Sequence, residues 1–362
     1  MTKYIKHLVL FTILYSMSGF AVMAAEKPTT KEKPLEISEI IFDHMGDAYE
    51  WSLFSWAKDK SLVLPLPIIV YSKESGMSLF SSAQLRDGAQ YKGFKIAPAG
   101  TPHQGKVVEQ RGGEWKRPLL ALSMTKIAFA MVINSLIVIA IILMASRWYR
   151  RRKESDEAPG GFVGFIEMLV MMLYDDIIKT SIKDNPKRFA PYLLTIFFFI
   201  LINNLMSLVP IFPGGVGVTG NIAVTAFLAL CTFLAVNLFG TKEYWKEIFW
   251  PDVPLLLKVP IPILPIIELM GVITKPFALM IRLFANMMAG HMSLLILVCL
   301  IFIATSMGPV IQGSLTVTSI LFTLFMNVLE LLVAFIQAYV FTLLSAVYIG
   351  LAQEGAKKKV KN

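Results

Sequence analysis

The chain of 362 residues is 56% hydrophobic and 16% charged, with a mean hydropathy of +0.64, which excludes an ordinary soluble domain and indicates a polytopic membrane protein. Its formal charge of +9 does not indicate nucleic-acid binding, because the basic residues cluster in short runs beside apolar segments, at residues 147–153 and 357–359. The two cysteines, Cys231 and Cys299, lie within apolar segments and lack metal-ligand spacing, so neither a metal nor another cofactor is expected.

The N-terminus has the composition of an export signal. Lys3 and Lys6 precede an apolar run that ends in small residues at Ala24 and Ala25. This pattern predicts a signal peptide over residues 1–25, cleaved near its small-residue end. An uncleaved anchor helix is the alternative, because the apolar run is nearly long enough to span a bilayer.

Residues 26–120 form a polar region that is predicted to be extracytoplasmic. Hydrophobic alternation and turn residues at 61–72 and 90–96 predict a few short strands. His44 and His103 stand alone in this region, and an isolated surface histidine is rarely a ligand. The pattern therefore predicts a small folded region and assigns it no chemistry.

The rest of the chain is predicted to be an all-α membrane domain over residues 121–356, followed by a basic cytoplasmic tail at 357–362. About five membrane helices are expected, at residues 127–145, 191–209, 221–240, 261–306 and 315–352. Residues 161–185 combine charged side chains with apolar faces, which predicts an amphipathic helix on the membrane surface. The basic run at 147–153 places the end of the first helix in the cytoplasm.

The last two apolar stretches are too long for simple membrane spans. As helices they would measure roughly 69 Å and roughly 57 Å, against a hydrocarbon core of about 30 Å. They must therefore tilt steeply or break. Gly308 and Pro309 lie between them, so a long, tilted helical hairpin is predicted.

This predicted hairpin contains most of the ionisable residues of the membrane domain. Glu268, Lys275 and Arg282 recur every seven residues on one helical face, and Asn286 continues that face. A guanidinium does not lose its proton at physiological pH, so a membrane protein that retains one within an apolar segment is expected to use its charge. Arg282 is therefore the first candidate for a functional residue.

The register of the hairpin follows from its polar residues. In an antiparallel pair of helices, the numbers of facing residues have a constant total. Arg282 with Gln337 totals 619, and His291 with Glu330 totals 621, so both pairs predict a turn near residue 310. Nine residues separate Arg282 from His291, which is half a turn off one face, so two surfaces are predicted: Arg282 faces a partner, and His291 with Glu330 lines an aqueous path.

The same residues carry a resemblance to a known family. Residues 282–287, the pair Ala289–Gly290 and the pair Gln337–Ala338 resemble the signature of subunit a of the F-type ATP synthase membrane sector. Further matches are Asn204 with Pro210, residues 219–225, and Glu268 with Lys275 and Pro276. The similarity covers roughly residues 162–352, and its departures include Ser207 where many bacterial members have an aspartate.

The resemblance implies a proton-conducting stator subunit that is not catalytic alone and that couples proton flow through two aqueous half-channels to rotation of a c-ring. The implied partners are the c-ring, the b subunits of the peripheral stalk, membrane lipid and, indirectly, the soluble ATPase sector, with no nucleic acid. The implied location is a bacterial inner membrane, with a periplasmic N-terminal region and a cytoplasmic C-terminus. The residues implied in proton translocation are Arg282, Asn286, His291, Glu330, Gln337, Glu268, Lys275 and Asn204.

Simpler roles remain open for several of these residues. Arg282 has the alternative of snorkelling or of an ion pair with Glu268, and His291 with Glu330 has the alternative of a structural pair. Asn203 and Asn204 have the alternative of hydrogen-bonding packed helices. For the whole protein, a secondary transporter is the competing class, although such transporters usually contain inverted repeats and this chain has no self-similar halves.

One motif is misleading. Residues 215–220 match GxGxxG, which in a strand–turn–helix unit indicates a dinucleotide site. Here the motif joins two predicted membrane spans, so a nucleotide site is excluded.

Overall fold

A computed structural model describes most of the chain. The described residues are 46–57, 60–72, 76–98, 101, 103–111, 113–151, 159–183, 185–209, 211–249, 263–304 and 308–354. The predicted signal peptide, His44 and the predicted basic tail lie outside them. The chain divides into two compact units: the first comprises the N-terminal region up to Ile133, Val209–Val216 and Met292–Val328, and the second comprises Asn134–Leu208, Gly217–His291 and the region from Leu329 onward.

The N-terminal region contains short antiparallel strands, as its alternation predicted. They are β1 (Glu50–Ala57), β2 (Lys60–Pro65), β3 (Pro67–Ser72), β4 (Gly76–Ser81), β5 (Phe94–Ile96), β6 (Val107–Arg111), β7 (Glu114–Lys116) and β8 (Leu120–Ala121). Strands β1 and β2 form a two-stranded sheet, and the others form two three-stranded sheets of order β4-β3-β8 and β5-β6-β7. Alternate residues of β3, including Ile68 and Val70, point into a core with Phe80, Leu85 and Phe94.

A backbone and a side-chain hydrogen bond join this β region to the first membrane helix, α1 (Lys126–Arg150). The Lys126 N–H donates to Ala48 O at 2.8 Å, and the Ile127 N–H donates to Asp47 Oδ1 at 3.3 Å. The Asp47 carboxylate thus satisfies a free amide and the positive end of the helix dipole at the start of α1.

Six further α-helices of eight or more residues follow α1 in the described residues. They are α2 (Gly161–Met172), α3 (Pro186–Leu208), α4 (Ile222–Leu238), α5 (Lys242–Phe249), α6 (Ile263–Ala304) and α7 (Pro309–Glu354). By length and composition, α1, α3, α6 and α7 are able to cross a membrane, and α4 with α5, bent by 101°, forms a fifth candidate. The prediction of an all-α polytopic protein with about five membrane helices and some N-terminal strand is confirmed.

The predicted amphipathic helix is helical from Gly161, and α2 continues through a π-helical segment, Leu173–Ile178, to a last turn at Lys179–Ser181. Only its second half exposes charged side chains, among them Asp175 and Asp176. The first half exposes Phe162, Phe165, Met168 and Met171, each by half or more of its surface. An outward apolar surface of this kind suits contact with lipid.

Helix α3 is the centre of the second unit. In the most apolar 18-residue segment of α3, 56% of the residues are buried, and Leu193, Phe197 and Ile200 are fully enclosed. The corresponding shares are 11% for α6 and 22% for α7. The packed core therefore forms around α3, while most of the surface of the two longest helices is left open.

Helices α6 and α7 contain 42 and 46 residues and are unbroken within their described residues. Lengths of about 63 Å and about 69 Å fit a core of about 30 Å only if the helices tilt by about 60° or extend beyond it. Helix α7 begins at Pro309, six residues earlier than predicted, because proline is well suited to the first helical position and Gly308 adopts φ +91° just before it.

Candidate functional site

An acid–imidazole pair joins α6 to α7 within the second unit. His291 Nδ1 lies 3.3 Å from Glu330 Oε1, and the two side chains are 19% and 4% exposed. The contact confirms the predicted pairing of these residues. The two atoms are within ion-pair distance but are not aligned as a hydrogen bond, and both carboxylate oxygens of Glu330 lack a hydrogen-bond partner among the described residues. The contact thus brings an acid and an imidazole base from two helices to within ion-pair distance.

Two glycines pack closely against the side chains of this pair. A Cβ atom at Gly290 would lie 3.0 Å from Glu330 Oε1, and a Cβ atom at Gly217 would lie 3.0 Å from His291 Cδ2 and 3.1 Å from Nε2. Sequence reasoning missed both roles. The available signals were the position of Gly290 beside His291 and the GxGxxG match around Gly217.

The other end of the hairpin supports nearly the same register. The Lys275 ammonium lies 5.7 Å from the centroid of the Tyr348 ring, and these residue numbers total 623. Lys275 also lines a cavity of about 30 Å³ with Asn237, Tyr244 and Tyr348. Glu268, one heptad earlier on α6, is exposed.

Arg282 and Asn286 are both exposed on α6. Among the described residues, no carboxylate lies within ion-pair distance of the Arg282 guanidinium. Gln337 on α7 is buried, and within the described part of the chain no hydrogen bond joins it to Arg282. Arg282 is thus exposed and Gln337 buried, and their pairing across the hairpin stays a prediction.

Asn204 on α3 is the centre of a buried hydrogen-bond network. Its Nδ2 donates to Ala334 O at 3.3 Å, and its Oδ1 accepts from Thr219 Oγ1 at 2.7 Å. Its backbone carbonyl accepts from Ser207 Oγ at 2.6 Å. The neighbouring Asn203 accepts from Asn134 Nδ2 at 3.0 Å. These contacts link α3 to α1, to α7 and to the segment before α4, as expected for polar residues that hold membrane helices together.

Comparison with known proteins places most of this architecture in one family. The family model described as ATP synthase A chain matches residues 130–350, and a domain of unknown function, DUF8433, matches residues 40–119. The ATP synthase subunit a of Chloroherpeton thalassium is 38% identical over 264 residues, which cover 72% of this chain and 73% of the relative.

Two further relatives agree. The ATP synthase subunit a of Pelodictyon phaeoclathratiforme is 37% identical over 265 residues, covering 72% of each chain. That of Myxococcus xanthus is 38% identical over 239 residues, covering 64% of this chain and 74% of the relative. The matched region contains every helix from α2 to α6 and most of α1 and α7. The chain belongs to the ATP synthase subunit a family.

Proposed function

We propose that this protein is the proton-conducting stator subunit of an F-type ATP synthase, and that Arg282 is the fixed charge that the carboxylates of a rotating c-ring meet in turn. The observation that carries the proposal is the exposed guanidinium in the middle of an apolar helix of 42 residues, with no carboxylate at ion-pair distance among the described residues. The protein is not catalytic alone in this role, since ATP chemistry belongs to the soluble sector of the complex.

The charge on Arg282 needs a partner from another molecule. A guanidinium stays protonated, and an isolated charge at membrane depth is costly. Glu268 is exposed and lies fourteen residues earlier, about 21 Å along the helix, so an ion pair between the two is not formed. A carboxylate on a neighbouring helix of the ring supplies the missing counter-charge.

The surface around Arg282 suits such a neighbour. Ala278, Ala285 and Ala289 lie four residues before, three after and seven after Arg282, and all three are exposed. Small side chains allow the backbones of two membrane helices to approach closely. The low burial of α6 within its own chain leaves this face available to the ring.

Proton movement then depends on the ring and on this chain together. A ring carboxylate that crosses lipid must be protonated, because its ionised form is not tolerated there. Beside Arg282 the ionised form is stabilised, so the carboxylate releases its proton and can take up another on leaving. Two half-channels that open to opposite sides of the membrane and meet only at the ring make proton flow depend on rotation. The fixed positive charge of Arg282 also opposes direct leakage between them.

We assign the His291–Glu330 pair to one half-channel as a proton relay, because it joins an acid to a base near α6. Asn286 and Gln337 are assigned to the same path, and Glu268 with Lys275 to the opposite end of the hairpin. Asn204 belongs to this set by family resemblance, yet its hydrogen bonds favour the alternative of helix packing.

We place the protein in a bacterial inner membrane, and its basic residues support the orientation. Arg147 and Arg150 lie in the last turn of α1, so this end faces the cytoplasm. Five spans then leave residues 26–120 in the periplasm and the tail at 357–362 in the cytoplasm, with residues 121–356 as the channel domain and residues 1–25 as the signal peptide. The peripheral-stalk b subunits hold the protein against the rotating ring.

ATP-driven proton pumping in membrane vesicles tests the proposal. Arg282→Ala should abolish pumping, and Arg282→Lys should reduce it by at least about tenfold, because an ammonium is compact, strongly hydrated and lacks the planar fork. The matched control is Arg150→Ala, which removes an exposed arginine at the end of α1 and should pump normally. Near-normal, uncoupler-sensitive pumping by an assembled Arg282→Ala complex would show that the assignment is wrong.

A further inference from the structure

We propose that Gly217 is a positioning residue of the proton path, because its lack of a side chain lets the segment before α4 lie against His291 and so keeps the imidazole beside Glu330. The inference rests on the proposed function, and it gives a role to the central glycine of the GxGxxG match, for which the nucleotide interpretation was rejected.

The two nitrogens of the imidazole have different surroundings. Nδ1 faces Glu330 at 3.3 Å. Nε2, on the opposite edge of the ring, is enclosed by the protein. Gly217 lies on that side, since a Cβ atom there would be 3.1 Å from Nε2, closer than ordinary van der Waals contact.

Neither side of this contact is free to move away. The segment after Gly217 is anchored, because Val218 and Thr219 are fully buried and the Thr219 hydroxyl donates to Asn204 at 2.7 Å. On the other side of the imidazole, Glu330 packs closely against Gly290, since a Cβ atom at Gly290 would lie only 3.0 Å from Glu330 Oε1. A methyl group at residue 217 would therefore displace the imidazole from its place beside Glu330.

The backbone of Gly217 does not itself require glycine. It has φ −74° and ψ 77°, a conformation that other residues adopt. Gly215, by contrast, has φ +77°, which favours glycine for conformational reasons. Gly220 has neither constraint, since a Cβ atom there would meet nothing within 4 Å. Glycine is thus required for steric reasons at residue 217 and for conformational reasons at residue 215, and neither reason applies at residue 220.

Passive proton flux through the membrane sector, in vesicles stripped of the soluble ATPase, tests the proposal. Gly217→Ala should lower the flux by about tenfold, and Gly217→Val should lower it further, because the added groups displace the imidazole from Glu330. The matched control, Gly220→Ala, should remain within about twofold of the wild type. Each variant is compared at equal amounts of assembled complex.

A second background separates the effect on the imidazole from an effect on the loop. In the His291→Ala protein, which should retain a slow but measurable flux, adding Gly217→Ala should change the flux by less than about twofold, because the colliding ring is gone. A similar tenfold loss in both backgrounds would overturn the proposal in favour of a loop-packing role. Wild-type flux in Gly217→Ala would also overturn it. Wild-type flux in His291→Ala would instead remove the proton path on which it rests.

Discussion

The polar residues of α3 and those of the α6–α7 hairpin are placed in opposite ways. On α3, Asn203 and Asn204 are buried, and each makes hydrogen bonds to another part of the membrane domain. On α6, Arg282 and Asn286 are exposed, and on α7 the buried Glu330 carboxylate has no hydrogen-bond partner among the described residues. The same chain therefore satisfies polar groups in one helix and leaves them open in two others.

This difference in hydrogen bonding distinguishes polar residues that hold the helices together from polar residues that act with a partner. A polar group that is buried and fully bonded stabilises a unique packing of helices. A polar group that is left exposed to lipid, or buried with spare hydrogen-bonding capacity, costs free energy unless a partner subunit, a water molecule or a proton engages it. By this criterion α3 is the scaffold, and the hairpin is the part of the protein that works with a partner.

The largest effect in the hairpin, after loss of Arg282, is expected at the acid–imidazole pair. Replacing either His291 or Glu330 by Ala should slow passive proton flux by about 100-fold, because one member of the relay is lost. Exchanging the two residues should restore part of the flux, since the pair needs one acid and one base in contact and their order is secondary. Flux is measured at equal amounts of assembled complex.

The exchange also decides between a relay and a structural pair. If the doubly exchanged protein assembles stably and conducts no better than the worse single variant, His291 and Glu330 hold α6 and α7 together and do not carry protons. Poor assembly of both single variants would also favour a structural pair.

A smaller effect tests the scaffold. Asn204→Ala removes the acceptor of the Thr219 hydroxyl and the contact to Ala334, so it should lower the free energy of unfolding by about 1–2 kcal/mol. Flux per assembled complex should stay within about twofold of the wild type. Denaturation of the purified membrane sector measures the first quantity, and vesicle flux measures the second.

Asn286→Ala is the matched control, because it removes the same side chain from an exposed position of α6. It should leave unfolding unchanged and lower the flux, the reverse of Asn204→Ala. If Asn204→Ala reduces flux strongly at unchanged stability, Asn204 carries protons, and the scaffold role of α3 is incomplete.

The sequence was sufficient to predict those features that depend on pattern along the chain. Hydropathy located the membrane helices, and polar spacing predicted the His291–Glu330 contact of the hairpin. The sequence was not sufficient for side-chain contacts that depend on three-dimensional packing. The same spacing also paired Arg282 with Gln337, but one is exposed and the other buried, and no hydrogen bond joins them in the described part of the chain.

The glycines that pack against His291 and Glu330 were likewise not predicted from the sequence. The role of Gly217 depends on an approach to a residue seventy-four positions away, and no local pattern encodes that distance. The hydrogen bond from Thr219 to Asn204 is likewise set by how the segment before α4 packs against α3. Candidate residues could be read from residue type and period, whereas their supporting contacts required the fold.

Cross-linking across the exposed face of α6 tests most directly whether Arg282 faces a ring carboxylate. After Cys231 and Cys299 are replaced by serine, Ala278→Cys should form a disulfide, on mild oxidation, with a cysteine placed one turn from the carboxylate of a ring subunit, because disulfides need Cα atoms within about 7 Å. The buried neighbour, Leu279→Cys, should not cross-link. Efficient cross-linking at Leu279→Cys with none at Ala278→Cys, in an assembled complex, would contradict the proposed ring-facing surface.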